Sequence, residues 1–276
     1  MITIGKFYSL EILRRDADGV YLDAGYLGEV MLPIAEAPDQ AESGTRLEVF
    51  LHLDSDNLPV ATTVQPKVQL DQCACLNVVA CNRDGAFLDW GLPKDLFVPR
   101  KQQQLPMQVG RAYVVTVYLD EMTRRLAASS RLSDYLLEFS SEHKPGQRVN
   151  LLICGHSELG YKAVIDHTHL GLIYHTEVFQ PLKIGQSLTG YIKDIRPDHR
   201  IDLTLQKPDR QMRDELQQKI LDLLARQAGH STLNDKTPPA EIYRLFGVSK
   251  ANFKKALGAL YKQKKIRLEK DGIHLL

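Results

Sequence analysis

Two groups of residues in this chain have the types, but not the spacing, that catalysis or metal binding needs. The segment GHSELG at residues 155–160 has one residue too many before its second glycine to form a GxSxG nucleophile elbow. His167, His169 and His175 offer imidazole nitrogens, but an HxH pair without a third dedicated ligand is a weak metal site. Neither a GxxxxGK[ST] loop nor a GxGxxG turn occurs. The sequence therefore predicts a non-catalytic protein without a cofactor, metal or small-molecule substrate.

Basic side chains concentrate towards the C-terminal end. Lys and Arg number 14 against 20 Asp and Glu over residues 1–144, 7 against 7 over residues 145–209, and 14 against 7 over residues 210–276. The regional net charges are therefore −6, 0 and +7. This asymmetry indicates that the C-terminal end meets a polyanion, and the alternative is a basic surface that is merely solvated.

An internal repeat predicts the modules that carry these residues. Residues 18–33 overlay residues 84–99 at an offset of 66, and the same offset carries Gly44 onto Gly110. Within each copy the apolar residues alternate with period two, which is typical of half-buried strands, and Asp-Gly pairs mark the turns. Four to five short strands in about 65 residues predict a small closed or nearly closed barrel of the OB type.

A third, more divergent copy lies further along the chain. An offset of 75 lays Gly110 on Gly185 and Arg125 on Arg200, and a turn is predicted over residues 159–162. The domain boundaries predicted from these repeats are residues 1–66, 67–132 and 146–207 for three barrels, with a helical or irregular connector over residues 133–145.

After residue 208 the apolar period becomes helical. The pattern predicts an amphipathic helix over residues 211–227, a second helix with Thr237 as its N-cap, and a third helix that Ser249 caps and that runs to Lys265. Two short strands around a turn at residues 270–272 follow. Residues 210–276 therefore read as a winged helix-turn-helix. The predicted fold class is mainly β, with three tandem OB barrels and a C-terminal α/β winged helix.

Composition limits the remaining possibilities. The chain has 276 residues, of which 43% are hydrophobic, and has neither an apolar run of membrane-spanning length nor the pattern of a signal peptide. We therefore expect a cytoplasmic protein with no membrane contact, monomeric or weakly associating. Cys73, Cys75, Cys81 and Cys154 lack CxxC spacing, so we expect partly buried, reduced thiols.

Two segments of the third copy carry a family resemblance. GLIYHTE at residues 171–177, with a later glycine-led strand and RIDLT at residues 200–204, resembles the RNA-binding motif of the ribosomal protein S1 family. Three such modules ahead of a winged helix resemble, over essentially the whole chain, the bacterial RNA-binding regulators of the conserved virulence factor B family. The resemblance implies tandem barrels that bind single-stranded RNA, without catalysis, in post-transcriptional regulation.

The resemblance also implies a binding face in each barrel. In the family, this face has an aromatic residue on the second strand, an aromatic residue or histidine on the third strand, and a basic residue just before the last strand. The corresponding residues are Tyr21, Met31 and Pro59 in the first barrel, Phe87, Phe97 and Arg125 in the second, and Lys162, Tyr174 and Arg200 in the third. The first barrel keeps only the tyrosine, which argues against it as a binder.

Charge favours the third barrel as the main contact, because the phosphate term dominates nucleic-acid affinity and aromatic rings then stack on bases. The neighbours of the second barrel's aromatics are acidic: Asp84, Asp89, Asp95 and Glu121. Those of the third barrel's tyrosine are basic: Lys162, Lys193, Arg196 and Arg200. The alternative for Phe87 and Phe97 is ordinary barrel core or an interface between modules.

The winged helix adds a second basic surface. Lys250, Lys254 and Lys255 share one face of the third helix, and Lys262, Lys264, Lys265 and Arg267 continue it into the wing. Cations at this spacing favour phosphate contacts. The predicted RNA-binding residues are therefore Phe87, Phe97, Arg125, Lys162, Tyr174, Lys193, Arg196, Arg200, Lys250, Lys254, Lys255, Lys262 and Arg267.

Two other functions are compatible with the same sequence features. The third helix, with Lys250, Asn252 and Lys254, could read a major groove in a DNA-binding transcription factor, although the sequence has no evident dimerisation element. Alternatively, the acidic first 144 residues suit a scaffold that binds the ribosome or RNA-processing proteins.

Overall fold

The alternation of apolar and polar residues produces short strands that close into barrels. The computed structural model describes residues 2–178, 180–206, 210–234, 236–269 and 272–276. These residues form three five-stranded barrels and a C-terminal winged helix, so the predicted fold class is confirmed. The chain divides into two units, Met1–Leu136 with the first two barrels and Leu137–Leu276 with the third barrel and the winged helix.

The first barrel is closed by hydrogen bonds. Its strands are β1 (Phe7–Arg15), β2 (Gly19–Asp23), β3 (Glu29–Pro33), β4 (Arg46–Leu53) and β5 (Pro59–Thr62). They are ordered β1-β2-β3-β5-β4, and β3 pairs with β5 in parallel while the other pairs are antiparallel. Alternate residues such as Val20, Leu22 and Leu32 are fully buried in its core.

The second barrel repeats this arrangement and stays open at one seam. Its strands are β6 (Cys73–Cys81), β7 (Gly85–Asp89), β8 (Leu96–Pro99), β9 (Ala112–Leu119) and β10 (Leu126–Ser129). They form a sheet in the order β10-β9-β6-β7-β8, and its two edge strands, β8 and β10, lie side by side.

The third barrel is closed and has the topology of the first. Its strands are β11 (Arg148–His156), β12 (Gly160–Ile165), β13 (His169–Tyr174), β14 (Ser187–Ile195) and β15 (Ile201–Thr204). The turn predicted over residues 159–162 is wrong. Ser157 and Gly160 exchange backbone hydrogen bonds in the turn, and β12 begins at Gly160, so Lys162 lies on a strand.

The backbone repeats at the offsets read from the sequence. A β-bulge interrupts the first strand of each barrel between residues 12 and 14, 78 and 80, and 153 and 155. Gly19, Gly85 and Gly160 each begin a second strand, where an added Cβ would lie 2.3, 2.2 and 2.0 Å from a carbonyl oxygen of the neighbouring strand. A β-bulge and a close approach between neighbouring strands recur at matching positions in all three barrels. This recurrence indicates that one structural unit was duplicated.

The first two barrels share part of their core. Phe50 of β4 is fully buried, and its ring centroid lies 5.3 Å from that of Phe7 and 5.9 Å from that of Trp90 in the second barrel. The Lys94 Nζ donates to the Asp54 carbonyl oxygen at 2.8 Å. These contacts hold the β4–β5 turn against the second barrel.

The connector between barrels two and three follows the third barrel. After a short 3-10 turn at Leu132–Asp134 it continues without regular structure. Its Leu137 amide donates to the Thr168 carbonyl oxygen at 3.0 Å, and its Ser140 amide donates to the His199 carbonyl oxygen at 3.0 Å. Residues 137–140 therefore run along the β13 and β15 ends of the barrel.

The described residues of the winged helix form three helices and a three-stranded sheet. These elements are α1 (Arg210–Arg226), β16 (His230–Ser231), α2 (Pro239–Phe246), α3 (Lys250–Lys262), β17 (Ile266–Glu269) and β18 (Gly272–Leu275). The sheet order is β16-β18-β17, and the core centres on Phe253 and Leu260. Of the wing turn predicted at residues 270–272, the first two residues lie outside the described ones.

The two predicted helix caps have different outcomes. The Ser249 Oγ accepts a hydrogen bond from the Asn252 amide at 2.9 Å, so this N-cap is confirmed. The Thr237 N-cap is wrong. Pro238 takes that position, while the Thr237 hydroxyl is turned back to accept the Asn234 amide at 2.8 Å.

None of the helices in the described ranges is long and apolar enough to cross a membrane. The four cysteines differ in exposure: Cys73 is buried, Cys81 is exposed, and Cys75 and Cys154 lie between these extremes.

Candidate nucleic-acid interface

Tyr174 lies at the end of β13 on the outer surface of the third barrel, half-exposed, with cations at its ring. Arg196 donates from Nη2 to the Tyr174 hydroxyl at 2.7 Å, and its guanidinium carbon lies 5.6 Å from the ring centroid. The Lys193 Nζ lies 5.8 Å from the same centroid. The ring is therefore an aromatic platform flanked by two positive charges, an arrangement that accommodates a stacked base and its phosphate.

Carboxylates hold these two cations in place. Arg196 donates from Nε to Asp202 at 2.7 Å, and this hydrogen bond raises the pKa of the guanidinium. Lys193 pairs with Glu177 at 2.9 Å. Asp202 and Glu177 therefore hold Arg196 and Lys193 beside the ring and neutralise part of their charge.

Glu177 is the buried end of this network. Only 6% of its surface is exposed, and its second oxygen accepts the Thr204 hydroxyl at 2.8 Å. Glu177 was not among the predicted site residues, although it belongs to the segment that carries the resemblance. Nothing in its spacing indicates that Lys193, sixteen positions later, would pair with it.

Lys162 and Arg200 lie beside a shallow depression of about 230 Å³ on the same barrel, which Arg196 also lines. Lys162 is opposite Leu172 in the β12–β13 ladder and exposed, and it makes no ion pair with any residue in the described ranges. The Arg200 Nε lies 3.8 Å from the Asp198 Oδ2, and both side chains are more than half exposed. These two cations are available to an incoming phosphate.

The connector places a carboxylate at this depression. Glu138 lines it because residues 137–140 follow the barrel edge. Glu138 was not among the predicted site residues, because it lies in an irregular stretch without periodicity. The depression is therefore less positive than its lysine and arginines alone would make it.

The exposed surface of α3 carries the second group of predicted cations. Lys254, Lys255 and Lys262 are exposed, and Lys250 is half-buried near the helix start. Arg267 on β17 pairs with Glu269 at 2.6 Å, so its charge is partly neutralised. Lys255 and Lys262 are seven residues apart and so lie on one side of α3, about two helical turns apart.

The N-terminal end of α3 packs against the third barrel. It contacts the 3-10 turn His175–Glu177, which directly follows Tyr174. The Asn252 amide nitrogen also donates to the Gln206 side-chain oxygen at the end of the barrel. The aromatic platform and the lysine-bearing helix therefore belong to one packed unit.

In the second barrel, Phe87 and Phe97 face each other across β7 and β8 with ring centroids 5.2 Å apart. Both are half-exposed on the outer surface, and they line a cleft of about 590 Å³ within the first unit together with Arg125. The carboxylates of the cleft differ from the expected set. Asp84 and Asp95 line it, whereas Asp89 and Glu121 do not, and Asp120 joins them.

The first barrel lacks an open platform. The Arg14 guanidinium carbon lies 3.4 Å from the Tyr21 ring centroid, and the same arginine pairs with Asp16 and Glu29. Met31 is opposite Tyr21 in the β2–β3 ladder. A base could stack on Tyr21 only after displacing a paired arginine.

The serine and histidine residues that resemble catalytic or metal-binding groups make hydrogen bonds and packing contacts within the third barrel and its connector. The Ser157 hydroxyl donates to the Gly160 carbonyl oxygen at 3.1 Å in the β11–β12 turn. The His169 ring packs on His143 and the His175 ring packs on Tyr161, with centroids 4.7 and 5.6 Å apart. Over the described part of the chain, no three His, Cys, Asp or Glu side chains are grouped to hold a metal ion.

Comparison with known proteins identifies module types at both ends. A family model described as the CvfB-like winged helix domain matches residues 218–275, and one described as the S1 domain matches residues 4–64. These are modules of nucleic-acid-binding regulators, and neither belongs to a known enzyme family.

Relatives match over the whole length. Conserved virulence factor B of Staphylococcus aureus, in strains USA300 and NCTC 8325, is 29% identical over 99% of this chain and 94% of its own. A solved multidomain protein with nucleic acid binding domains from Streptococcus pneumoniae is 24% identical, with a TM-score of 0.42, over 99% of this chain and 98% of its own. The chain is thus similar over its whole length to conserved virulence factor B, with an S1-domain match near its start and a CvfB-like winged helix match at residues 218–275.

Proposed function

We propose that this chain is a non-catalytic regulator of gene expression that binds single-stranded RNA through its third barrel and its winged helix. The observation that carries the proposal is the packing of α3 on the turn that follows Tyr174. It joins a base-stacking platform and a row of lysines in one unit. A single strand that stacks a base on Tyr174 can continue along the cations of α3.

The charge of the two units supports this assignment. Residues 137–276 carry 22 Lys and Arg against 16 Asp and Glu, whereas residues 1–136 carry 13 against 18. The second unit is thus +6 and the first is −5. Since phosphate contacts supply most of the sequence-independent affinity for nucleic acids, the second unit is the better partner for RNA.

The packing of α3 disfavours the alternative of a DNA-binding transcription factor. In helix-turn-helix proteins the N-terminal residues of the recognition helix contact base edges in the major groove. Here Asn252 donates to Gln206 of the barrel, Ser249 is buried and Lys250 is half-buried. The end of the helix that would enter a duplex is therefore engaged within the protein.

The test measures the affinity of the full chain for oligouridylate and for duplex DNA across a range of salt concentrations. We expect preferential, salt-sensitive binding of the oligouridylate. The double variant Lys255→Glu/Lys262→Glu should weaken it and flatten the slope of log K against log salt by about 0.7 for each lost phosphate contact.

The matched control is Arg111→Glu, which reverses an exposed charge in the first unit. It should leave both the affinity and the slope unchanged. Tighter binding to duplex DNA than to RNA, or an unchanged slope in the double variant, would contradict the proposal. Crosslinking to RNA in cells, with the adducted peptides mapped, tests the same sites in the natural setting.

A further inference from the structure

The cleft of the first unit combines aromatic rings with carboxylates. Its volume is about 590 Å³, and the Phe87 and Phe97 rings are half-exposed at its side. Trp90 lies at its base, 4% exposed, with its indole nitrogen donating to the Lys94 carbonyl oxygen at 2.7 Å. His52 of the first barrel contributes another ring. The cleft is thus an aromatic recess built by both barrels of this unit.

The carboxylates of the cleft are mostly unpaired. Asp95 is exposed and makes no ion pair within the described residues. Asp84 pairs only loosely with the largely exposed Arg83, at 3.7 Å. Asp120 accepts hydrogen bonds from the backbone and hydroxyl of Thr123, which lower the pKa of this carboxyl and keep it ionised at neutral pH. Three negative charges therefore surround the aromatic pair.

The cations of the cleft do not balance these charges. The Lys94 ammonium is directed to the first barrel, where it donates to the Asp54 carbonyl oxygen at 2.8 Å and to Asn57 at 3.2 Å. Burial is the main cause that lowers the pKa of His52, so its imidazole is neutral near pH 7. Arg125, exposed at the rim, is the remaining positive group among the lining residues.

This combination suits a cation better than a phosphate. Aromatic faces attract guanidinium and ammonium groups, and flanking carboxylates pair with the same groups. The same carboxylates would repel an RNA backbone. The net charge of −5 over residues 1–136 extends the complementarity beyond the cleft.

We propose that this cleft is a docking site for an arginine- or lysine-rich segment of a partner protein, with one cationic side chain inserted between the aromatic pair and Asp95. The chain then has two separate binding surfaces, an RNA surface on the second unit and a basic-peptide surface on the first. A protein partner and an RNA can be held at the same time.

The chain contains a built-in reporter for this site. Trp90 is its single tryptophan and lines the cleft. The experiment titrates the full chain with unlabelled hexa-arginine, with hexaglutamate and with oligouridylate, and follows tryptophan emission. We expect a saturable change with hexa-arginine only, and RNA binding to the second unit should persist when hexa-arginine saturates the cleft.

Variants locate the binding. Asp95→Asn and Phe97→Ala should each lower the affinity for hexa-arginine about threefold to tenfold, since each removes one cation-binding group. Phe97→Leu provides a second variant that keeps an apolar surface should the alanine destabilise the barrel. Glu48→Gln, which removes an exposed charge on β4 outside the cleft, is the matched control and should change nothing.

Two results would overturn the proposal. One is a tryptophan response to oligouridylate that Phe97→Ala abolishes, which would make the cleft an RNA site. The other is a hexa-arginine response that is absent or is unaffected by Asp95→Asn and both Phe97 variants.

Discussion

Replacing Tyr174 tests whether the outer face of the third barrel stacks a base. Tyr174→Ala removes the ring, whereas Tyr174→Phe keeps it and removes only the hydroxyl that accepts from Arg196. Arg196 retains its bond to Asp202 in both variants, so the backbone and the neighbouring cations should stay in place.

The magnitude follows from what surrounds the ring. Stacking on an aromatic side chain is worth about 1–3 kcal/mol per base. Arg196 and Lys193 already lie within 6 Å of the ring centroid, at 5.6 and 5.8 Å, and a base that displaces one of them loses about 0.5–1 kcal/mol of cation–π attraction. The net loss in Tyr174→Ala should be about 1–2 kcal/mol, or roughly fivefold to thirtyfold in Kd.

The assay is fluorescence anisotropy of labelled oligouridylate with the full chain at several salt concentrations. Because stacking involves no counterion release, Tyr174→Ala should lower the affinity without changing the salt slope, unlike the lysine reversals on α3. Tyr174→Phe should bind within about threefold of the parent chain, since the ring face is what a base contacts.

The control is Tyr21→Ala in the first barrel, whose ring Arg14 already covers at 3.4 Å. It should bind RNA like the parent. The reasoning would be refuted if Tyr174→Ala, with an unchanged unfolding midpoint, bound as tightly as the parent. It would also fail if Tyr174→Phe were as weak as Tyr174→Ala, because the hydroxyl rather than the ring would then be responsible.

Three further predictions concern stability and reactivity. Gly190→Ala should lower the free energy of unfolding in urea by about 1–3 kcal/mol, because the new Cβ would lie 2.2 Å from a methyl carbon of the buried Leu151. An unfolding midpoint equal to that of the parent chain would contradict this expectation. Glu177→Gln should lower the free energy of unfolding by about 1–2 kcal/mol in the same measurement, because the buried carboxylate loses its charge-assisted hydrogen bonds with Lys193 and Thr204. A variant as stable as the parent chain would contradict a stabilising role of these hydrogen bonds. Burial raises the pKa of Cys73 to about 11, so about one Cys73 side chain in a thousand is a thiolate at pH 8. Iodoacetamide labelling followed by peptide mapping should therefore modify the exposed Cys81 and spare Cys73 until the pH approaches that pKa. Equal labelling of the two cysteines at pH 8 would contradict the burial of Cys73.

Local features were largely predictable from the sequence. The positions of the strands follow from an alternation that repeats every two residues, and the glycines at 19, 85 and 160 follow from the offsets of 66 and 75. The Ser249 cap was also predictable, because a capping hydroxyl bonds to an amide only three residues away. Thr237 shows the limit, since two prolines after it shift the helix start by one residue.

Contacts between distant residues were not predictable in the same way. The pairing of Glu177 with Lys193, the position of Glu138 beside Arg200, and the presence of Asp120 in place of Asp89 in the cleft all depend on how separate segments pack. No local periodicity encodes those distances.

The sequence alone determined the number and type of modules and the charge gradient along the chain, because strand alternation, turn chemistry and charge are properties of neighbouring residues. Tertiary structure decided which of those side chains share a surface. It brought α3 against the turn after Tyr174, and it placed carboxylates from three strand connections in the same cleft as Phe97. Such contacts form only when separate segments of the chain pack, since α3 is distant from Tyr174 in the sequence and Asp120 is distant from Phe97.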